Sequence, residues 1–104
     1  MHRLAFKMKL LDGFEQEYKR RHDEIWPELK SLLTETGIKD YSIFLDDSSN
    51  LLFACLTISD PGALAELPKQ EIMKKWWDYM KDIMEVNPDN SPVSLPLKEV
   101  FYLK

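Results

Sequence analysis

Along residues 2–10 apolar and polar positions alternate. His2, Leu4, Phe6, Met8 and Leu10 share one side, and Arg3, Ala5, Lys7 and Lys9 the other. A period of two predicts a half-buried strand. The period then lengthens. Leu11, Phe14, Tyr18, His22, Ile25 and Leu29 fall on one side of a helix at about 100° per residue, which predicts a helix with one apolar face. Lys19, Arg20, Asp23 and Glu24 take its outer side. Asp12, with Glu15 three residues on, has the spacing of a capping box. Pro27 cannot donate a backbone hydrogen bond, so the helix should kink or restart near Trp26. Gly37 is placed to end it in the left-handed conformation.

Two further strands are predicted over 38–46 and 51–58, joined by the turn "DDSSN" (46–50) as an antiparallel hairpin. Asp60-Pro61-Gly62 opens a second helical region, Pro68 interrupts it, and a stronger helix follows over 69–84. The proline-rich stretch "NPDNSPVSLP" (87–96) reads as an irregular loop, and "LKEVFYL" (97–103) as a fourth strand. The order β-α-β-β-α-β predicts an α+β fold of the ferredoxin-like, split βαβ kind, with both helices on one face of the sheet. Strands two to four carry apolar residues of both parities, including Phe44, Phe53, Cys55, Phe101 and Leu103. A solvated sheet face would be more polar, so a second copy should pack sheet to sheet and make a homodimer.

Composition narrows the setting. The chain has 104 residues, the size of one domain, with no internal repeat or linker. Its net charge is −4, and the basic run Lys19-Arg20-Arg21 is too short to track a phosphate backbone, so nucleic acid is not an expected partner. No apolar run approaches the ~20 residues that span a membrane, and the N-terminus lacks the apolar stretch of a signal peptide. The single Cys55 allows no internal disulfide, and with two histidines it makes no metal-ligand spacing. A cytoplasmic setting and a buried role for Cys55 in its apolar strand are expected.

Candidate chemistry is sparse. There is no G-x-G-x-x-G, P-loop or G-x-S-x-G. His22 lies on the inward helix face with Tyr18 and Trp26 at intervals of four. It is either a satisfied core histidine or an acid–base group near neutral pH. In "KKWWDYM" (74–80), Trp76 shares a face with Ile72, Tyr79, Met80 and Ile83, and Trp77 is rotated by about 100°. Either indole packs in the core or walls a ligand site. Tyr41 is an ordinary sheet residue or a polar contact where helices meet the sheet. Asp46 and Asp47 point different ways and make a poor acid–base pair.

The segments "YKRRHDEIWPEL", "YSIFLD" followed by "LLFA", "KWWDYM", "NPDNSPVS" and "EVFYL" together resemble the L-rhamnose mutarotase family over nearly the whole chain. The resemblance implies a cofactor-free isomerase that exchanges the α and β anomers of L-rhamnose in sugar catabolism. It also implies a cytoplasmic homodimer with the dimeric α/β-barrel architecture. His22 looks like the proton donor; Tyr18, Tyr41, Trp76 and Trp77 look like substrate contacts, and no metal is implied. The same barrel also hosts haem-binding enzymes, where His22 would be an axial ligand, and a non-catalytic assembly domain is a third alternative.

Overall fold

The computed structural model describes residues 1–104. Strand β1 (His2–Lys9) is followed by two short helices, α1 (Glu15–Asp23) and α2 (Pro27–Glu35). Strands β2 (Ile38–Asp46) and β3 (Leu51–Ile58) follow, then a 3-10 segment Pro61–Lys69, helix α3 (Glu71–Met80) and strand β4 (Ser94–Leu97). The four strands form one antiparallel sheet in the order β2-β3-β1-β4.

The first helical region breaks where Pro27 requires it. Pro27 becomes the first residue of α2, where its missing N–H is no loss. Gly37 lies just past the α2 cap with φ +98°, and a Cβ there would meet Ser59 Oγ at 2.7 Å. The expected cap at Asp12 does not form. Gly13 turns the chain with φ +86°, and Phe14 is the N-cap of α1 without a side-chain hydrogen bond. Leu11 and Phe14 consequently sit at the rim of the helical face, each 36% exposed. The second helical region is also divided. Pro61 and Pro68 hold residues 61–69 in 3-10 geometry, and α3 ends at Met80, short of the predicted 84.

One face of the sheet is buried. Leu52 and Ala54 of β3 pack with Leu29, Met73 and Trp76, while Leu56 and Ile58 pack with Ile38 and Leu33. The other face is open. Phe44 is 66% exposed, Leu95 55% and Leu97 38%. Cys55 belongs to this open face and is exposed, not a core residue as its strand's composition implied. It pairs with Ala5 and so takes the parity opposite to Ala54 and Leu56.

The fourth strand lies earlier than the sequence indicated. Residues 94–97 pair with β1 in the register Ala5↔Leu97 to Met8↔Ser94, and residues 98–104 have no regular structure. Extending that register would set Lys98, Glu99 and Val100 opposite Leu4, Arg3 and His2 of β1, yet the pairing does not continue past Leu97. The β-favouring side chains of "VFYL" thus lie outside the sheet of this chain. The tail is held instead by Arg3, which pairs with Glu99 at 2.9 Å and lies 3.3 Å over the Tyr102 ring.

Candidate active site

Three elements bring five side chains to one small inner cavity of about 80 Å³. Helix α1 supplies Tyr18 and His22, β2 supplies Tyr41, and α3 supplies Trp76 and Trp77. The same five residues border a larger open cleft of about 1450 Å³, where the proline-rich loop contributes Asn87, Ser91 and Pro92. Both indoles reach the cavity despite their rotation about α3. Trp76 is buried in the core, and Trp77 is half-buried on its shoulder.

His22 is fixed by its neighbours. Its ring stacks on Tyr18 at 4.2 Å between centroids and meets Trp76 edge-on at 5.3 Å. Its Nδ1 lies 3.0 Å from the backbone oxygen of Tyr18. A carbonyl oxygen can only accept, so Nδ1 carries a hydrogen and Nε2 is the nitrogen left to exchange protons. Burial lowers the His22 pKa from its ordinary value, opposed by the Tyr18 carbonyl and the charge of Asp23. Trp26, expected on the inward face, meets Trp76 edge-on at 5.1 Å and stacks on Tyr79 at 5.4 Å, backing the site from behind.

Tyr41 reaches the cavity through a bulge. The β2–β3 register runs Lys39↔Thr57 and resumes at Ser42↔Cys55, so Asp40 and Tyr41 together oppose one residue. Asp40 takes φ +51° at this point. The extra residue reverses the parity of β2, and Tyr41 faces the helices as Ile38 does on the other side of the bulge. Without it Tyr41 would share the open face with Cys55. Tyr41 is 39% exposed as a residue and lines the cavity beside His22, and burial pushes its pKa up to about 12. Burial likewise raises the Tyr18 phenol, with a smaller contribution from the neighbouring Tyr41. Both phenols therefore stay neutral across the ordinary pH range. Of the five side chains, the protein's own hydrogen bonds engage only Nδ1 of His22.

Two contributions escaped the sequence. Arg21, beside His22, is buried and ties α1 to the end of α3. It donates to the Tyr79 carbonyl at 2.7 Å and to Asp82 at 2.9 Å, bonds Glu17 at 2.7 Å, and lies 4.4 Å over the Tyr79 ring. The second is a set of methionines, Met8, Met73, Met80 and Met84, in the cavity wall. Met73 and Met80 stand four residues either side of Trp77 and Trp76, a spacing visible beforehand. No group of three or more His, Cys, Asp or Glu side chains is placed to hold a metal ion. No helix is long and apolar enough to cross a membrane.

Comparison with known proteins gives a consistent pattern. The sequence model of a family described as L-rhamnose mutarotase matches residues 3–103. The chain is 60% identical over 104 residues to an L-rhamnose mutarotase of Formosa agariphila, with 100% of each chain covered. It is 57% identical over 103 residues to one of Bacteroides thetaiotaomicron, with 99% of each covered. A crystal structure of L-rhamnose mutarotase from Formosa agariphila superposes with a TM-score of 0.93 at 58% identity, covering 100% of both chains.

Proposed function

The chain belongs to the L-rhamnose mutarotase family, and from this premise we propose an isomerase that exchanges the α and β anomers of L-rhamnose through His22. Exchange requires the C1–O5 bond to break, with a proton delivered to O5 and one removed from the C1 hydroxyl. The free aldehyde then rotates about C1–C2, and the ring closes with the protons returned. The observation that carries the reading is the convergence of Tyr18, His22, Tyr41, Trp76 and Trp77 on one cavity.

In this reading Nε2 of His22, as imidazolium, gives its proton to O5 and recovers it on closure. A lowered pKa makes the imidazolium a stronger acid, which suits delivery to an ether oxygen. The phenols of Tyr18 and Tyr41 and the indole N–H groups of Trp76 and Trp77 orient the hydroxyls, and the indole faces cover the apolar side of the ring. Water takes the proton of the C1 hydroxyl. The phenols hold their own protons too tightly to serve, and Asp89, the loop carboxylate, accepts from the Ser91 backbone N–H and hydroxyl instead. The mechanism calls for no cofactor and no metal.

The β2-β3-β1-β4 order supports the ferredoxin-like reading of this single domain. The open apolar face and the unpaired tail 98–104 support a homodimer of the dimeric α/β-barrel kind, working in the cytoplasm in rhamnose catabolism. No nucleic-acid or membrane partner is invoked. Saturation transfer between the anomeric NMR signals of L-rhamnose tests the activity. Transfer above the uncatalysed background at catalytic protein concentration is the expected result, and its absence overturns the proposal.

A further inference from the structure

Four of the five methionines in the chain line the inner cavity, the fifth being Met1. They converge from separate places: Met8 from β1, Met73 and Met80 from α3, and Met84 from the turn beyond it. All four are buried, with Met73 the most accessible at 8%. Ile43 and Pro92 extend the same apolar wall. Methionine is unbranched and polarizable, so several together close around a small apolar group better than rigid side chains do. Their sulfurs accept hydrogen bonds only weakly and donate none. The remaining residues of the cavity, Tyr18, His22, Tyr41, Trp76, Trp77, bring all its strong polar tips. The cavity thus presents apolar thioether surface alongside these polar tips.

We infer that Met8, Met73, Met80 and Met84 form a subsite for the methyl group on C5 of a 6-deoxy sugar, and that this subsite sets the substrate preference. The inference rests on the mutarotase reading. L-Rhamnose has that methyl as its only apolar substituent. L-Mannose, with the same ring stereochemistry, carries a hydroxymethyl there, whose hydroxyl would be buried without a good partner. L-Lyxose carries hydrogen and leaves the space unfilled.

The test is the anomer-exchange efficiency, kcat/KM, for these three sugars, measured by saturation transfer. L-Lyxose should fall by about 10-fold or more and L-mannose by about 100-fold relative to L-rhamnose, the range over which an apolar pocket senses a missing methyl group or an added hydroxyl. Either sugar within about threefold of L-rhamnose overturns the subsite. Met73→Gln keeps the chain length and adds an amide partner for a hydroxyl. It should narrow the rhamnose-to-mannose ratio by about 10-fold, while Met73→Leu keeps the ratio within about threefold. Equal losses for both sugars in Met73→Gln overturn the assignment. Acceleration of none of the three overturns the mutarotase reading itself, and the subsite with it.

Discussion

His22 Nδ1 donates to the backbone oxygen of Tyr18 at 3.0 Å, one turn earlier on the same helix. The bond orients the ring and fixes its tautomer, so Nε2 is the ring nitrogen free to exchange a proton. Removing the imidazole removes that atom. His22→Ala should lower the enzyme-dependent exchange of L-rhamnose anomers by about 10²- to 10⁴-fold, the usual contribution of a positioned acid–base group. An unchanged rate by saturation-transfer NMR would dismiss His22 as the donor.

The pH profile separates donor from base. Burial favours the neutral ring, so the His22 pKa lies below its ordinary 6.5. The imidazolium donor is therefore lost as pH rises through that lowered pKa. The difference in kcat/KM between wild type and His22→Ala should decline as pH rises, with its midpoint below 6.5. A profile rising over the same range would make His22 a base. Stability has the opposite sign. Because the unfolded chain binds this proton more readily, the His22 contribution is full above 6.5 and is lost as pH falls through the folded value.

The Asp40 bulge is a positioning device for Tyr41. Left-handed backbone costs a β-branched residue about 1–2 kcal/mol, whereas glycine adopts it freely. Asp40→Val should therefore destabilise the fold by about that amount in urea titration and raise KM for L-rhamnose. Asp40→Gly should retain both within small changes. Deleting Asp40 would restore a regular register and turn Tyr41 to the open face, with a larger loss of binding.

What the sequence made legible follows from how locally each feature is determined. The alternation of β1, the break at Pro27 and the stop at Gly37 each depend on a few adjacent residues, and each appears where expected. Helix periodicity sets Tyr18 and His22 on one face, and their rings do stack, but it does not assign them a role, which comes from the family resemblance. Features set by distant partners were not legible. Cys55 sits on the open face because of its pairing with Ala5, not because of its neighbours in β3. The fourth strand stops at Leu97 although β1 runs on to His2, so its end is not readable from the β-favouring residues that follow it. Arg21 reads in the sequence only as the end of a short basic run, since its partners Tyr79 and Asp82 lie some 60 residues away.

That arginine supports the next prediction. Arg21 joins α1, which carries His22, to the end of α3, which carries both tryptophans. Charged hydrogen bonds of this kind contribute about 1.5–3 kcal/mol. Arg21→Met keeps the packing of the stem but removes the bonds. It should lower stability by about 2 kcal/mol in denaturant titration. It should also broaden the placement of His22 relative to Trp76, reducing kcat more than it changes KM. Arg21→Lys should recover part of the stability but little of kcat, because one ammonium cannot hold the Tyr79 carbonyl, Asp82 and Glu17 in the same fork. Equal behaviour of the two variants would reduce Arg21 to a packing residue.

The open sheet face yields the last prediction. Phe44, Leu95 and Leu97 lie exposed beside Cys55, and Val100, Phe101 and Leu103 extend from the same edge at 77–88% exposure. The contacts that hold this tail within the chain are weak, since the Arg3–Glu99 pair is exposed on both sides. A partner sheet would cover the apolar face and give the tail a surface to pack on. A stable association of this kind needs about 800 Å² from each partner. Sedimentation should therefore show two 12.3 kDa chains together. Phe44→Asp places a charge on the face of the sheet opposite the His22 cavity and should shift the equilibrium to monomer. Removing residues 98–104 should weaken association without disturbing β4, whose pairing ends at Leu97. A wild-type monomer at micromolar concentration would overturn the sheet-to-sheet dimer. Loss of exchange activity in a folded Phe44→Asp monomer would show that the cavity also depends on the partner.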